Sequence, residues 1–293
     1  MFFAKLLLCV TLFADIIAGT WNLKWFPSSR AKHHAPKEVE QAAVKSAAST
    51  ISSGVKYLSS QSTNNVGTIL FFQEIRELDV ATNLISSIGI TNLNLASFTL
   101  FKDWDGRAIW QQSAIATTLP IIESSWSYWK RPRKINPPRG YAYALLDGGN
   151  DGIIACFCVH LKSNYGTTTK AKKKDARQKR EVCAEQLVKI AKSIKTPDGK
   201  KVSKIIIGGD FNSDKWSKTF EDEKTHSILS DAMFINCFEN VPLDKRWTYP
   251  SSTRRKESTL DYIYHRGFSE MTSFFIPPIT PISDHRMVII NLR

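Results

Sequence analysis

The sequence contains few cysteines and no Cys-x-x-Cys pair, so we predict no zinc site of the paired-cysteine kind. Of its five cysteines, Cys9 lies in the N-terminal apolar stretch, and Cys156, Cys158, Cys183 and Cys237 form an even set in the rest of the chain. Cys156 and Cys158 are two residues apart on one predicted strand and share a face, and Cys183 lies on an apolar helical stripe that should pack on the sheet. A disulfide from Cys183 to one strand cysteine and buried free thiols therefore both remain open.

The chain also lacks internal repeats, low-complexity segments and any linker long enough to separate domains. With 293 residues, 42% hydrophobic and 23% charged, it has the size and composition of a globular protein with a sizeable core. We therefore expect one domain over residues 15–293.

No apolar run is long enough to span a bilayer, so we expect no stable membrane insertion. The longest N-terminal run, residues 6–13, follows Lys5 and has the pattern of a short secretory signal. We predict a signal peptide over residues 1–14 with cleavage after Ala14, and a secreted or periplasmic protein. The alternative is an uncleaved apolar first strand in a cytoplasmic protein.

Acidic residues are in deficit, with 27 Asp and Glu against 40 Lys and Arg. The resulting net charge of +13 and isoelectric point of about 9.5 favour a polyanionic partner, either nucleic acid or an anionic membrane.

Apolar runs of two kinds alternate along the chain. Spacings of three and four predict helices at residues 37–59, 76–88 and 170–195. Short continuous runs predict strands at residues 15–26, 68–73, 98–102, 113–117, 140–146, 153–161, 204–208, 259–264 and 286–291. This alternation indicates a layered α/β sandwich.

Several of these strands end in polar residues. The end residues are Asn22, Glu74, His160, Asp210, Asn212, Asp261, Asp284 and His285. Side chains at strand ends converge where a sheet meets solvent, and carboxylates, amides and imidazoles together are typical of a phosphoryl-transfer site with a hard metal ion.

Six short motifs carry these residues in a characteristic order. They are Thr20-Trp21-Asn22-Leu23, Phe72-Gln73-Glu74, His160-Leu161-Lys162-Ser163, Gly209-Asp210-Phe211-Asn212, Leu260-Asp261-Tyr262-Ile263 and Ser283-Asp284-His285. One alone would be weak, but the ordered set resembles the endonuclease/exonuclease/phosphatase superfamily, the fold of pancreatic-type deoxyribonuclease and the abasic-site endonucleases. The resemblance implies a four-layer α/β sandwich of two packed mixed β-sheets flanked by helices, with one active site at one end.

The resemblance also implies a metal site. Glu74 would be the main ligand, Asn22 would lie beside it, and Asp284 would contribute directly or through water. Mg²⁺ is the expected ion because it takes few protein ligands, with Mn²⁺ or Ca²⁺ as alternatives.

The same resemblance assigns catalytic roles. Asp261 would hold His285, His160 would contact the phosphate, and Asp210 and Asn212 would orient the water and bind a phosphate oxygen. Whether the aspartate or the histidine is the general base stays open.

The chain departs from the deoxyribonuclease branch at one point. That branch has a glutamate partner for the first histidine, expected near residues 110–117, where this chain has Gln111 and Gln112. His160 is thus expected to lack an anionic partner of that kind, and a neutral donor to phosphate is an alternative role for it.

Basic and aromatic residues point to the substrate. Lys162, Arg139, Trp247 and Arg255 are the expected substrate-binding residues, since bases or sugars can stack on an aromatic ring while cations meet phosphates. We therefore expect a monomeric, secreted, metal-dependent endonuclease of low sequence specificity, with DNA the more favoured substrate than RNA.

Two other functions remain open from the sequence. A phospholipid phosphodiesterase or inositol-phosphate phosphatase would keep the fold and change the substrate, and an exposed apolar hairpin, for which residues 274–276 are a weak candidate, would favour it. The other is a non-catalytic polyanion-binding or toxin subunit.

Overall fold

The computed structural model describes residues 15–132, 135–250 and 257–293. The predicted signal peptide and Arg255 lie outside these ranges. The described ranges contain twelve strands and four α-helices. The strands are β1 (Asp15–Phe26), β2 (Val66–Ile75), β3 (Asn94–Phe98), β4 (Gln112–Thr117), β5 (Ile121–Tyr128), β6 (Gly140–Asp147), β7 (Ile153–His160), β8 (Lys204–Asp210), β9 (Ile235–Asn236), β10 (Asp261–Arg266), β11 (Met271–Phe275) and β12 (Val288–Leu292). The helices are α1 (Lys37–Ser59), α2 (Leu78–Ile88), α3 (Lys170–Ser193) and α4 (Thr225–Asp231).

The strands form two mixed sheets of six strands each. The first has the order β11-β12-β1-β2-β4-β3 and the second the order β5-β6-β7-β8-β10-β9. Each sheet has a parallel pair at its centre, β1 with β2 and β7 with β8, and its other pairs are antiparallel. These central strands read as continuous apolar runs because both of their faces are buried.

The main core lies between the two sheets. Phe71 of β2 and Cys156 and Ile206 of the second sheet are buried there, on the faces that the two sheets turn toward each other. The sheets approach closely at Gly208, where a Cβ atom would lie 2.3 Å from the ring of Phe71. A glycine at this position therefore allows the sheets to pack face to face.

Helices cover the outer faces and complete four layers. Helix α1 buries residues such as Ile51 and Leu58 in a second core against the first sheet, together with α2. Helix α3 buries Cys183 and Leu187 against the second sheet. The predicted four-layer α/β sandwich is confirmed.

Some predicted elements were wrong or incomplete. The strand predicted at 98–102 lies at Asn94–Phe98 instead, and β5, β9, β11 and α4 were not predicted. Strand β5 is an edge strand whose residues are almost all exposed, so it carries no apolar run for the sequence pattern to detect.

Two open points of the sequence analysis are resolved. Cys156, Cys158, Cys183 and Cys237 are all buried free thiols, so the possible disulfide does not form. Residues 274–276 form no exposed apolar hairpin, because Phe275 packs with Tyr57 of α1 and Ile276 is buried. Among the described residues, no helix has the length and apolarity needed to cross a membrane.

Candidate active site

Strand register brings the polar strand ends together. In the second sheet His160 is the register partner of Asp210, and Asp210 is in turn the partner of Asp261. In the first sheet Asn22 is paired with Gln73, the residue before Glu74. One end of the sandwich therefore collects side chains from both sheets.

Asn22 joins the two sheets at this end. Its Nδ2 donates to Glu74 Oε1 at 3.3 Å and to Asp210 Oδ2 at 2.9 Å. The second Glu74 oxygen accepts from the backbone amide of Trp25 at 3.1 Å. Glu74 has a φ of +62°, a left-handed conformation that costs a non-glycine residue of order 1–3 kcal/mol. The fold thus holds this carboxylate in a strained position, as functional sites often do.

His160 faces both carboxylates. Its Nε2 lies 3.6 Å from Glu74 Oε1 and 3.5 Å from Asp210 Oδ2. Burial, helped by the positive charge of Arg139, lowers its pKa well below the ordinary value, so the ring is neutral at pH 7. Within the described residues its Nδ1 has no hydrogen-bond partner. Gln111, in the segment where the deoxyribonuclease branch has its glutamate, accepts from Arg139 Nη1 at 2.9 Å.

Asp210 and Asn212 form one buried unit after β8. Asp210 Oδ1 accepts from the Asn212 backbone amide at 2.8 Å, and Asn212 Nδ2 donates to Asp210 Oδ2 at 2.9 Å and to the Leu161 carbonyl at 3.2 Å. Asn212 adopts a left-handed φ of +52°, which turns its amide back toward the site. Burial is the main cause that raises the pKa of Asp210 above its ordinary value.

Asp261 and His285 form a second buried unit. The distance from His285 Nδ1 to Asp261 Oδ2 is 2.8 Å, and a donated hydrogen bond there fixes the ring and leaves Nε2 for a substrate. Burial lowers the pKa of His285, but the facing carboxylates of Asp261 and Asp210 outweigh it and raise the pKa above the ordinary value. Ligand-type atoms of Asp210, Asp261 and His285 all lie within 4.8 Å of one another.

Comparison with known proteins identifies the family. The model of the endonuclease/exonuclease/phosphatase family matches residues 19–285, nearly the whole chain. The chain belongs to the endonuclease/exonuclease/phosphatase family. The predicted family is thus confirmed, and with it a fold of phosphodiesterases and phosphatases. Among proteins with curated functions, none matches the chain.

Solved structures share the fold at low identity. An endonuclease/exonuclease/phosphatase protein from Beutenbergia cavernae DSM 12333 is 12% identical, with 95% of this chain and 71% of that chain covered and a TM-score of 0.64. D. rerio TDP2, in complex with a single-strand DNA product, is 12% identical, with 96% and 99% covered and a TM-score of 0.58. Sphingomyelinase C from Streptomyces griseocarneus is 14% identical, with 95% and 99% covered and a TM-score of 0.58. At these identities the likeness shows the fold alone.

The donor set of this family member fits a hard divalent cation. Glu74 and Asp210 present carboxylate oxygens within 3.6 Å of the same imidazole nitrogen, and Asp261 Oδ1 is buried without a hydrogen-bond partner among the described residues. Oxygen-rich sites of this kind suit Mg²⁺ or Ca²⁺. Asp284, the predicted direct or water-mediated ligand, forms an ion pair with Lys24 at 3.0 Å.

The four predicted substrate-binding residues have different environments. Arg139 donates to the His160 carbonyl at 3.1 Å and the Leu161 carbonyl at 2.8 Å, so in this structure its guanidinium is bound to the strand end. Lys162 is half-buried, and its Nζ donates to the neighbouring Ser163 carbonyl at 2.6 Å. Trp247 is half-buried and stacks against the guanidinium of Arg286, whose Cζ lies 4.1 Å from the ring centroid. The fourth, Arg255, lies outside the described residues.

Sequence reasoning missed several supporting residues. Ser283 Oγ donates to the Asn22 carbonyl at 2.6 Å and accepts from the His285 amide at 3.0 Å, which ties the last strand to the first. The ring of Tyr249 lies 4.8 Å from that of His285. Trp25 and Lys24 adopt left-handed backbone conformations, with φ values of +54° and +47°. Nothing in the sequence predicts these conformations, which orient the Trp25 amide and the Lys24 side chain.

Proposed function

We propose that this protein is a metal-dependent phosphodiester hydrolase that cleaves nucleic acid with low sequence specificity. The observation that carries the proposal is the convergence of three carboxylates and two imidazoles at one end of the sandwich. Glu74 and Asp210 face His160, and Asp261 supports His285. A net charge of +13 favours a polyanionic substrate at this site.

The proposed metal is Mg²⁺, with Mn²⁺ or Ca²⁺ as alternatives, and Glu74 would hold it with help from Asn22. When bound, such an ion neutralises charge on the non-bridging phosphate oxygens and helps the leaving oxygen depart. The Asn22–Glu74 hydrogen bond and the Trp25 amide would orient the ligand carboxylate.

The chain's own residues would supply the remaining chemistry. Asp210, held by the Asn212 amide, would orient the attacking water and accept its proton. His285, fixed by Asp261 through Nδ1, would donate from Nε2 to a phosphate oxygen. His160 is neutral and would donate a hydrogen bond to the phosphate.

DNA is the proposed substrate ahead of RNA, and the fold shared with the DNA-bound TDP2 structure is compatible with it. The shared fold with a sphingomyelinase would equally allow a lipid substrate. Phe275 packs against Tyr57 instead of forming an exposed apolar hairpin, which removes the feature that favoured membranes.

We further propose a single-domain, monomeric protein that is exported after cleavage behind Ala14. The pattern of Lys5 followed by an apolar run at residues 6–13 supports export. Secretion of the full-length chain, followed by N-terminal sequencing of the product, tests this: a mature N-terminus at Asp15 is expected, and a retained Met1 in an intracellular product would contradict it.

A plasmid relaxation assay tests the activity. Supercoiled DNA should be nicked and degraded with Mg²⁺ and remain intact with EDTA. Asp210→Asn should lose at least about 10²-fold in rate, whereas Asp231→Asn, an exposed carboxylate at the end of α4, should keep wild-type activity. Hydrolysis of sphingomyelin with no DNA cleavage would favour the lipid enzyme, and DNA binding without cleavage under any divalent ion would favour a non-catalytic binder.

A further inference from the structure

An aromatic and basic cavity adjoins the active site. It has a volume of about 980 Å³ and is lined by described residues of the connections from β3 to β4 and from β5 to β6, together with Trp25, Lys32 and Tyr128. We call it the aromatic groove. Two of its lining residues also hold the site, since the Trp25 amide donates to Glu74 and the Arg139 Nε donates to the His160 carbonyl. A chain bound in the groove would therefore continue directly into the catalytic centre.

Several aromatic rings of the groove are exposed to solvent and can contact a ligand. Trp104 is 94% exposed and Tyr128 is 44% exposed, so neither ring is committed to the core. Trp110 is half-buried and supported from behind, with His34 in edge contact at 4.8 Å and the Arg76 guanidinium 5.5 Å from its ring. A supported ring and an exposed one in the same cavity provide flat apolar surfaces that a base can stack on.

Cations surround these rings. Among the described residues that line the groove, Lys32, Lys102, Arg107 and Arg131 stand against one carboxylate, that of Asp103. Asp103 Oδ1 accepts the backbone amides of its own turn, from residues 105 and 107. In the part of the chain that the structure describes, Lys32, Lys102 and Arg131 form no ion pair. Their charges are therefore available to a phosphate backbone.

We propose that the aromatic groove binds unpaired nucleotides, so that the enzyme prefers single-stranded nucleic acid to a duplex. The proposal rests on the nuclease function proposed above and names its substrate. In a duplex both faces of each base are covered by neighbouring bases, so Trp104 and Trp110 can stack only on a base that has left the helix. The surrounding cations are placed for the phosphates of the same strand.

The test is equilibrium binding in EDTA, where no hydrolysis occurs. The probes are a fluorescein-labelled 12-nucleotide DNA strand and the duplex made from it. Wild-type protein should bind the single strand at least about 10-fold more tightly than the duplex. Trp104→Ala should weaken single-strand binding about 5- to 150-fold, the range for loss of one base–aromatic stack, and change duplex binding less than about 2-fold. Trp104→Phe should restore most of the affinity because it keeps a stacking ring.

Two controls separate stacking from general effects. Tyr57→Ala removes an aromatic side chain that is 50% exposed on α1, outside the groove, and should leave both affinities unchanged. Lys102→Gln should weaken binding and lower the slope of log affinity against log salt by about 1.

The outcomes for the groove and for the activity are distinct. Equal affinity for strand and duplex, or an unchanged affinity in Trp104→Ala, would overturn the groove proposal even if the protein cleaves DNA. Weaker binding of Trp104→Ala to sphingomyelin vesicles with unchanged oligonucleotide binding would overturn it as well. Absence of cleavage with every divalent ion, alongside the expected binding pattern, would refute the nuclease activity and leave single-strand binding standing.

Discussion

The exchange Asp261→Asn probes the electrostatics of the site with little change in shape. Asp261 is fully buried, and its Oδ2 lies 2.8 Å from His285 Nδ1. The carboxylate raises the pKa of His285, against a burial that lowers it. With a neutral amide in its place, the largest charge that raises this pKa is lost, while burial and the carboxylate of Asp210 remain, so we expect the pKa of His285 to fall.

Asp261→Asn should lower both the stability of the protein and its cleavage rate. Removing one member of a buried ion pair typically costs about 3–5 kcal/mol, and release of the His285 proton limits the loss, so we expect the free energy of unfolding to fall by about 3 kcal/mol at pH 7. The rate should fall about 10²–10⁴-fold, because the same exchange behind the histidine of a Ser-His-Asp triad costs about 10⁴-fold.

The assays are urea unfolding, histidine NMR titration and plasmid cleavage at saturating Mg²⁺. The double variant Asp261→Asn with His285→Ala should be no slower than the slower single variant, since the two residues act as a unit. A cleavage rate within about 3-fold of wild type, together with an unchanged His285 pKa, would refute this reasoning.

Three further predictions concern the scaffold. Arg180 of α3 is buried and pairs with Glu223 at 2.5 Å. Glu223→Gln would leave this guanidinium without its charged partner, so it should lower the free energy of unfolding by about 3–5 kcal/mol, measured by urea denaturation. Burial lowers the pKa of His265 to about 4, so the unfolded chain binds more protons than the folded one between about pH 4 and 6.5. Stability should therefore fall as the pH drops through that window, and urea midpoints should show a flatter dependence in His265→Leu; an unchanged dependence would contradict the assignment. Gly208→Ala should cost about 1–3 kcal/mol because its Cβ would overlap the ring of Phe71, and an unaltered midpoint would show that the sheets can separate freely.

The sequence predicts the fold and the site where buried strands run into polar residues. Glu74 and His160 follow continuous apolar runs, and such runs can be recognised from the residues alone. No single motif identifies the family. The order of the six motifs along the chain does, and the family resemblance in turn predicts that these strand ends meet at one edge.

The parts that escaped prediction depend on contacts between distant segments or on backbone conformation. The Lys24–Asp284 ion pair joins residues from opposite ends of the chain, and Glu223 lies 43 residues from Arg180 in sequence. Strand β5 has no buried face and is recognisable only through its pairing with β6. The aromatic groove combines two connections that the sequence pattern showed only as irregular segments.

The central claim is that Glu74 and its neighbours bind a divalent cation that the hydrolysis of phosphodiesters requires. Isothermal titration of Mg²⁺ into wild-type protein and into Glu74→Gln, alongside plasmid cleavage by the same samples, tests it most directly. We expect wild-type protein to bind the ion and cleave DNA, and Glu74→Gln to lose measurable binding together with at least about 10²-fold in rate while remaining folded. Undiminished binding and cleavage in Glu74→Gln would contradict the account.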